Sequence, residues 1–387
     1  MHHVSAVGGA SYCLLNVIKV IDRCVYEPIV LLRDHGPLEE ELNKLGVEVF
    51  FCPTLTTYPY NKSLLSFRVL YNIFVLFRSI YDFKKTIARC SPDIVYLNNT
   101  LLFPYLKSVR KAGIKSIIHI REHWPEGQHQ KQFQFVKRQV NENVDRIVAI
   151  NEFSARMISS DYSKTTIVYD WIVLSERYKP MPLDGILGEK TSNLKIFLYT
   201  GGIQSIKGCL EVVRLFTNDM KDSNYRLLAM GIPQALEKKT IKDYIKAILH
   251  SMGYLTYSYK VNEIIKSDKR IICVPNTYYI THLLEQVYCN ISFFTIPHAN
   301  LTLAECICMD LPCIAAKTEE SLEYSMGGNL ALLFDINSEK SFLEAVDKLS
   351  YDYDKLKTEL KNKSHIIRKK FDKETNVKQL KTVLDSL

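Results

Sequence analysis

The feature that most constrains this chain is a rhythm. Short β-branched runs recur along nearly its whole length with helical patterns between them, as in parallel sheets built from βαβ units. In the first half, strands are expected at 28–32, 47–53, 94–98, 116–121, 146–150 and 165–169, with helices from Ser11, Pro37 and Leu64 among those between them. In the second half the strands fall at 195–200, 225–230, 270–274, 291–296, 312–316 and 331–334. Residues 170–193 separate the two series and hold Pro180, Pro182, Gly185 and Gly188 with little periodicity, which marks a domain junction. A helical pattern from about Tyr353 to Leu387, broken near Phe371, closes the chain.

A chain of 387 residues exceeds the length at which a single core stops growing, so two domains are expected. Two parallel sheets present two sets of strand C-terminal ends, where ligands bind at topological switch points. A cleft between the domains is therefore the expected site. Ten cysteines lie scattered, and the only close pair, Cys306 and Cys308, has no second pair at zinc-ligand spacing. That argues against a zinc site or disulfide framework and fits a reducing cytosol.

The N-terminus lacks the basic and apolar regions of a signal peptide. Residues 64–80 are interrupted by Arg68, Asn72 and Arg78, and read as an amphipathic helix rather than a membrane span. The net charge of +8 is concentrated. Lys62, Arg68, Arg78, Lys84, Lys85, Arg89, Lys107, Arg110, Lys111 and Lys115 face only Asp82 and Asp93 within residues 62–115. This stretch suits peripheral contact with an anionic membrane, and a solvated helix surface explains it equally well. No nucleic-acid-binding motif accompanies it.

Several segments carry candidate chemistry. Gly8 and Gly9 follow a short expected strand at the N-terminus and precede a helix, so a diphosphate can approach their backbone, although a plain tight turn reads the same way. Residues 199–208 repeat the strand, glycine loop and helix arrangement with Gly201, Gly202 and Gly208. Lys207 stands at the loop's mouth, where an ammonium can neutralise a leaving phosphate; a surface lysine is the alternative.

Residues 296–305 leave an apolar strand and enter a helix. Backbone N–H groups around His298, Asn300, Leu301 and Thr302 suit a diphosphate, and Glu305 suits the vicinal hydroxyls of a ribose. In the first half, His119, Arg121, Glu122 and His123 form the densest polar cluster, continuing to Trp124, Pro125 and Glu126. Glu122 can orient an acceptor hydroxyl or accept its proton, Arg121 or His123 can bind phosphate, and an Arg121–Glu122 ion pair is the structural alternative. Asn98, Asn99 and Thr100 offer neutral groups for sugar hydroxyls, or simply a turn.

The order Gly8-Gly9-Ala10, the 201–208 loop ending in Lys-Gly, and the helix through Glu305 to Leu311-Pro312 resembles glycosyltransferase family 4 (glycosyl transferases group 1), over nearly the full length. The resemblance implies an α/β GT-B fold of two Rossmann-like domains facing across a cleft. It implies an acceptor-binding domain at 1–172, a nucleotide-sugar-binding domain at 173–368, and a C-terminal helix at 369–387 packing back on the first. Residues 168–172 resemble that family's hinge.

Also implied is a retaining chemistry in which sugar passes from a nucleotide-sugar donor to a glycan or lipid-linked acceptor, in cell-surface polysaccharide biosynthesis, in the cytoplasm or at the inner membrane face. Lys207, Glu122 and Arg121 are the catalytic candidates. Gly8, Gly9, Gly201, Gly202, Lys207, His298, Asn300, Leu301, Thr302 and Glu305 are the donor-binding ones, and His119, His123, Asn98 and Asn99 the acceptor-binding ones. Two positions depart from the family pattern: Gly202 replaces an arginine and Pro297 the first of two paired glutamates, with His298, Asn300 and Gln204 nearby as substitutes. No Asp-x-Asp cluster appears at the expected cleft, so neither metal nor other cofactor is expected. A non-catalytic scaffold of polysaccharide assembly and a sugar-nucleotide epimerase on the same fold are the alternatives.

Overall fold

The computed structural model describes residues 1–6, 8–58, 67–124, 130–173, 182–232, 256–276 and 280–387. Lys62, residues 64–66, Pro125, Glu126 and Pro180, named above, lie outside the described residues. Two compact units emerge, one of Met1–Trp171 with Lys370–Leu387, the other of Ile172–Lys369.

In the first unit the order is α1 (Gly9–Val20), β1 (Ile29–Leu32), α2 (Pro37–Lys44), β2 (Glu48–Phe51), α3 (Phe67–Cys90), β3 (Ile94–Leu97), a 3-10 turn (Thr100–Tyr105), α4 (Leu106–Lys111), β4 (Lys115–Ile120), α5 (Gln130–Asn143), β5 (Arg146–Ala149), α6 (Glu152–Ile158) and β6 (Thr165–Ile167). Strands β3-β4-β5-β6 form a parallel sheet, and β1 pairs with β2 in parallel. All but the first residue of β4 are buried, as expected where helices cover both sheet faces. Pro37 in the first turn of α2, followed by Glu39 and Glu40, sets that helix start through fixed φ and the helix dipole.

The expected strand at the N-terminus is not a ladder strand. Instead an extended segment bridges the two sheets: the Met1 ammonium donates to Tyr96 O, Asn98 N–H to Met1 O, and His2 N–H to Leu31 O.

The second unit runs α7 (Leu183–Leu187), β7 (Lys195–Tyr199), a 3-10 turn (Ser205–Lys207), α8 (Cys209–Asn218), β8 (Tyr225–Met230), α9 (Tyr257–Ser267), β9 (Ile271–Val274), α10 (Thr281–Leu284), β10 (Cys289–Ser292), α11 (Leu301–Cys308), β11 (Cys313–Ala316), α12 (Glu319–Tyr324), β12 (Leu332–Phe334) and α13 (Glu339–Lys370). Its six strands are ordered β12-β11-β10-β7-β8-β9, all pairs parallel. The order reverses between β7 and β10. A doubly wound sheet opens a crevice at that point, outside the carboxyl ends of those two strands.

Helix α13 begins at Glu339, well before the expected Tyr353, because Phe342, Ala345, Val346 and Leu349 continue its buried stripe without a breaker. After Phe371 the chain turns, and α14 (Lys373–Asp385) packs within the first unit. There Asn376 Oδ1 accepts from Tyr169 N–H at 2.8 Å, and Phe371 lies against the Tyr169 ring.

Candidate functional site

The loops leaving β7 and β10 meet at the switch point of the second unit. Residues 201–208 follow β7, and residues 293–300 follow β10 and lead into α11. The two are tied together: Thr295 N–H donates to Ile206 O at 3.0 Å, and Thr295 Oγ1 to Ser205 O at 3.2 Å. Gly208 has φ +67°, and a Cβ there would lie 2.3 Å from Phe293 O, so only glycine allows the contact between the loops.

The glycine loop is held from inside by Tyr199. Its hydroxyl shares a proton between Gly202 O (3.1 Å) and Lys207 O (2.9 Å), and a Cβ at Gly201 would sit 2.0 Å from that hydroxyl. Gly202 itself has φ +62°, where an arginine would be strained, so the departure from the family pattern is built into the backbone.

Lys207 is partly buried at the end of the 3-10 turn, and its ammonium has neither an ion pair nor a hydrogen bond among the described residues. Desolvation alone lowers its pKa. Asn300 is the N-cap of α11, its Oδ1 accepting from Leu303 N–H at 3.1 Å, while its buried Nδ2 has no partner. Leu301 and Thr302 begin the helix, and their N–H groups are first-turn donors without a protein acceptor among the described residues. His298 packs edge-on against Phe294.

Glu305 is 7% exposed on α11 with no hydrogen-bond partner among the described residues, and burial pushes its carboxyl up to about 7. One lysine amine, two first-turn N–H donors and one unpaired carboxyl thus border the strand ends where the sheet order reverses. Such a set can hold a diphosphate and a diol.

The second cluster lies in the first unit, at the ends of β3 and β4. Arg121 Nε donates to Asn98 Oδ1 (3.1 Å), one terminal nitrogen to Asp170 Oδ2 (2.5 Å) and the other to His119 Nδ1 (3.2 Å). Burial lowers the Arg121 pKa, but Asp170 outweighs it and the guanidinium stays charged. The ion pair is therefore with Asp170 rather than the Glu122 considered from sequence, and all three sides of the guanidinium are engaged within the protein.

His119 accepts from Arg121 at Nδ1 and contacts Tyr96 Oη there, which puts its proton on Nε2, buried and unpartnered. Burial, with help from Arg121, pushes its pKa well below the usual value, so the ring is neutral. Glu122 is buried with its Oε2 on Thr100 N–H at 2.8 Å; burial raises its pKa against the opposing hydrogen bonds from Thr100. His123 stacks on Phe153 with ring centroids 4.6 Å apart.

Asn98 is fully buried, its amide nitrogen on His2 Nδ1 and Ala10 O. Asn99 caps the 3-10 turn through Leu101 N–H. Asn99 thus makes the turn read from the sequence, whereas Asn98 joins segments far apart in the chain. Gly8 caps α1, and a Cβ at Gly8 or Gly9 would meet nothing within 4 Å. The fold itself does not demand glycine there; what glycine leaves is open space.

Sequence reasoning missed Tyr199, Thr295 and Asp170. Only Tyr199 left a signal, as a polar-tipped aromatic ending an apolar strand just before the glycines.

Residues 8–164 match the family model of the glycosyl transferase 4-like domain. No curated protein shows significant sequence similarity to the chain. Among solved structures, Anabaena HepE in complex with UDP-glucose superposes with a TM-score of 0.74 at 18% identity, covering 100% of this chain and 98% of that one. Sucrose-phosphate synthase of Thermosynechococcus elongatus gives 0.68 at 14%, covering 99% and 95%. MnaA of S. aureus with UDP gives 0.58 at 12%, covering 92% and 89%. The chain has the GT-B fold, and the glycosyltransferase resemblance read from its motifs stands.

Proposed function

We propose that this GT-B chain, with its glycosyl transferase 4-like domain, is a nucleotide-sugar-dependent glycosyltransferase. The observation that carries the reading is the Lys207 ammonium, partly buried and unpaired among the described residues, on a loop bonded to the segment that opens α11. A desolvated cation without a counter-charge is costly unless an anion binds it. The donor diphosphate is assigned to Lys207 and the N–H groups of Leu301 and Thr302, with Gly201, Gly202, His298 and Asn300 around it and the ribose on Glu305; Gly8 and Gly9 are proposed as donor-binding from the family resemblance.

In this reading Lys207 and the helix terminus, rather than a metal ion, meet the charge that grows on the leaving diphosphate. HepE binds UDP-glucose and MnaA binds UDP, which supports a uridine nucleotide as the first donor to try. Glu122, its pKa raised by burial, is the group proposed to orient the acceptor hydroxyl. Arg121 is proposed to act beside it, with His119, His123, Asn98 and Asn99 on the acceptor side. The acceptor is assigned as a glycan or lipid-linked glycan of cell-surface polysaccharide, and the location as the cytoplasm and inner membrane face. Retention of anomeric configuration is proposed from the family resemblance.

The test pairs binding with turnover. UDP at about a hundred times its Kd is expected to stabilise the protein by roughly 2.7 kcal/mol, because it binds only the native state. Lys207→Ala is expected to retain folding while losing about a hundredfold or more in kcat, measured as donor consumption with acceptor present. Unchanged turnover in folded Lys207→Ala protein rejects the assignment. Gly202 and Pro297 favour a second reading, a scaffold without turnover, and the MnaA likeness a third, an epimerase. Absence of donor turnover at high protein concentration selects the scaffold, and donor isomerisation without any acceptor selects the epimerase.

A further inference from the structure

Helix α3 is amphipathic twice over. Leu76, Ser79, Phe83 and Ile87 turn inward at helical spacing; the apolar three join the core of the first unit and Ser79 Oγ bonds Tyr105 Oη at 2.5 Å. The opposite face is also apolar through its first half. Leu70, Tyr71, Phe74, Phe77 and Tyr81 are all exposed, Phe74 at 73% and Phe77 at 71%. Their 4-3-4 spacing from Leu70 to Tyr81 makes one continuous solvent-facing stripe. Isolated exposed aromatics need no explanation, but a stripe of this kind marks a contact surface.

The charges beyond the stripe say what it contacts. Lys84, Lys85 and Arg89 continue the same outer face, with Lys85 Nζ 4.5 Å from the Tyr81 ring centroid. The one carboxylate on this part of the helix, Asp82, is turned aside: its Oδ2 accepts from Thr54 Oγ1 at 2.9 Å and from Arg78 Nε at 3.1 Å. Of the other cations in the basic stretch, Arg110 bonds Glu142 O and Lys115 lies 3.8 Å from Asp145. Within residues 62–115 the exposed aromatic stripe singles out α3.

We propose that α3 lies in the plane of an anionic bilayer surface, Phe74, Phe77 and Tyr81 entering the headgroup layer while Lys84, Lys85 and Arg89 meet lipid phosphates. An aromatic stripe with a cationic end matches the two attractions that hold an interfacial helix. A second copy of the chain packed on this face would set like charges near one another. No helix among the described residues is long and apolar enough to cross a membrane, so this is surface attachment. The inference stands apart from the donor reading.

The full-length protein is tested by flotation with phosphatidylcholine vesicles, with and without phosphatidylglycerol, and by analytical ultracentrifugation. The parent is expected to float with anionic vesicles and at least about tenfold less with neutral ones, the binding weakening with salt. The double variant Phe74→Ser/Phe77→Ser is expected to lose about tenfold or more at an unchanged melting temperature. Lys84→Gln/Lys85→Gln, which disturbs no packed residue, is expected to lose the preference for phosphatidylglycerol, and decides the matter should the aromatic variant not fold. Failure of the parent to float overturns the proposal, as does undiminished flotation of the folded variants. A dimer that Phe74→Ser/Phe77→Ser dissolves overturns it too, and gives the face to a second copy. None of these readouts depends on donor binding or turnover.

Discussion

Lys207 and Glu305 share a peculiarity: each is a charged group desolvated by the fold and given no partner among the described residues. Stability is lost at such positions, and ligand complementarity is what they provide in exchange. For Glu305 the loss has a definite pH dependence. Its carboxyl rises from 4.5 to about 7 on folding, so the unfolded chain ionises more readily than the folded one. The group favours folding below 4.5 relative to higher pH, and that contribution disappears as pH rises through 7. Glu305→Gln removes the ionisation. It is expected to be more stable than the parent at pH 8 by up to roughly 3 kcal/mol, with the gain shrinking toward pH 5, measured by urea unfolding at both pH values. A difference independent of pH would show that Glu305 ionises normally. The same variant is expected to bind UDP more weakly at pH 8, since a ribose diol donates better to a carboxylate than to an amide.

Among the elements, α11 is held at both ends by different means. Its N-terminus is capped by Asn300 and left with free N–H groups, while its C-terminal end is clasped by α13. Arg368 donates to Cys308 O at 2.7 Å and pairs with Asp310 at 2.8 Å; Ser364 donates to Asp310 Oδ1 and Lys357 to Asp310 O. Cations at the carbonyl end of a helix oppose its dipole. Arg368→Ala is expected to lower the melting temperature of the second unit by about 2–8 °C and to weaken UDP binding severalfold, because α11 carries Glu305. Calorimetry with and without UDP checks both; an unchanged UDP affinity would mean that the clasp only stabilises.

The strands bearing the site were legible at this scale, since a parallel strand covered on both faces is an unbroken β-branched run between turn residues. The glycine loop and the start of α11 were legible for a related reason, that special backbone needs glycine or an N-cap. What escaped was long-range pairing. Asp170 lies 49 residues from Arg121, and Asp310 lies 58 from Arg368, and no local pattern records either pair. The early start of α13 was missed because its polar outer face looks like loop until its inner stripe is counted. The N-terminal strand was overread because a few apolar residues before glycine cannot show whether a ladder forms.

For the whole molecule, the division into units has a thermodynamic consequence, because the first unit is completed by residues from the far end of the chain. Phe371, Leu380 and Val383 are each 2% exposed there, and Arg146 Nε reaches Ser386 Oγ at 2.9 Å. Burying three such side chains contributes roughly 5–9 kcal/mol, comparable with the full stability of a domain. A chain ending at Lys369 is therefore expected to lose the cooperative transition of the first unit while the second still melts as a body. The glycine loop, Lys207, α11 and Glu305 all belong to the second unit, so most of the UDP affinity is expected to survive the truncation. Scanning calorimetry and UDP titration of the shortened chain read these two outcomes separately. Loss of UDP binding together with the first transition would place the donor's main contacts outside the second unit, and would remove Lys207 and Glu305 from the center of the proposed chemistry. Retained binding with a lost first transition would mean that donor recognition and the closing C-terminal helix are separable properties of one chain.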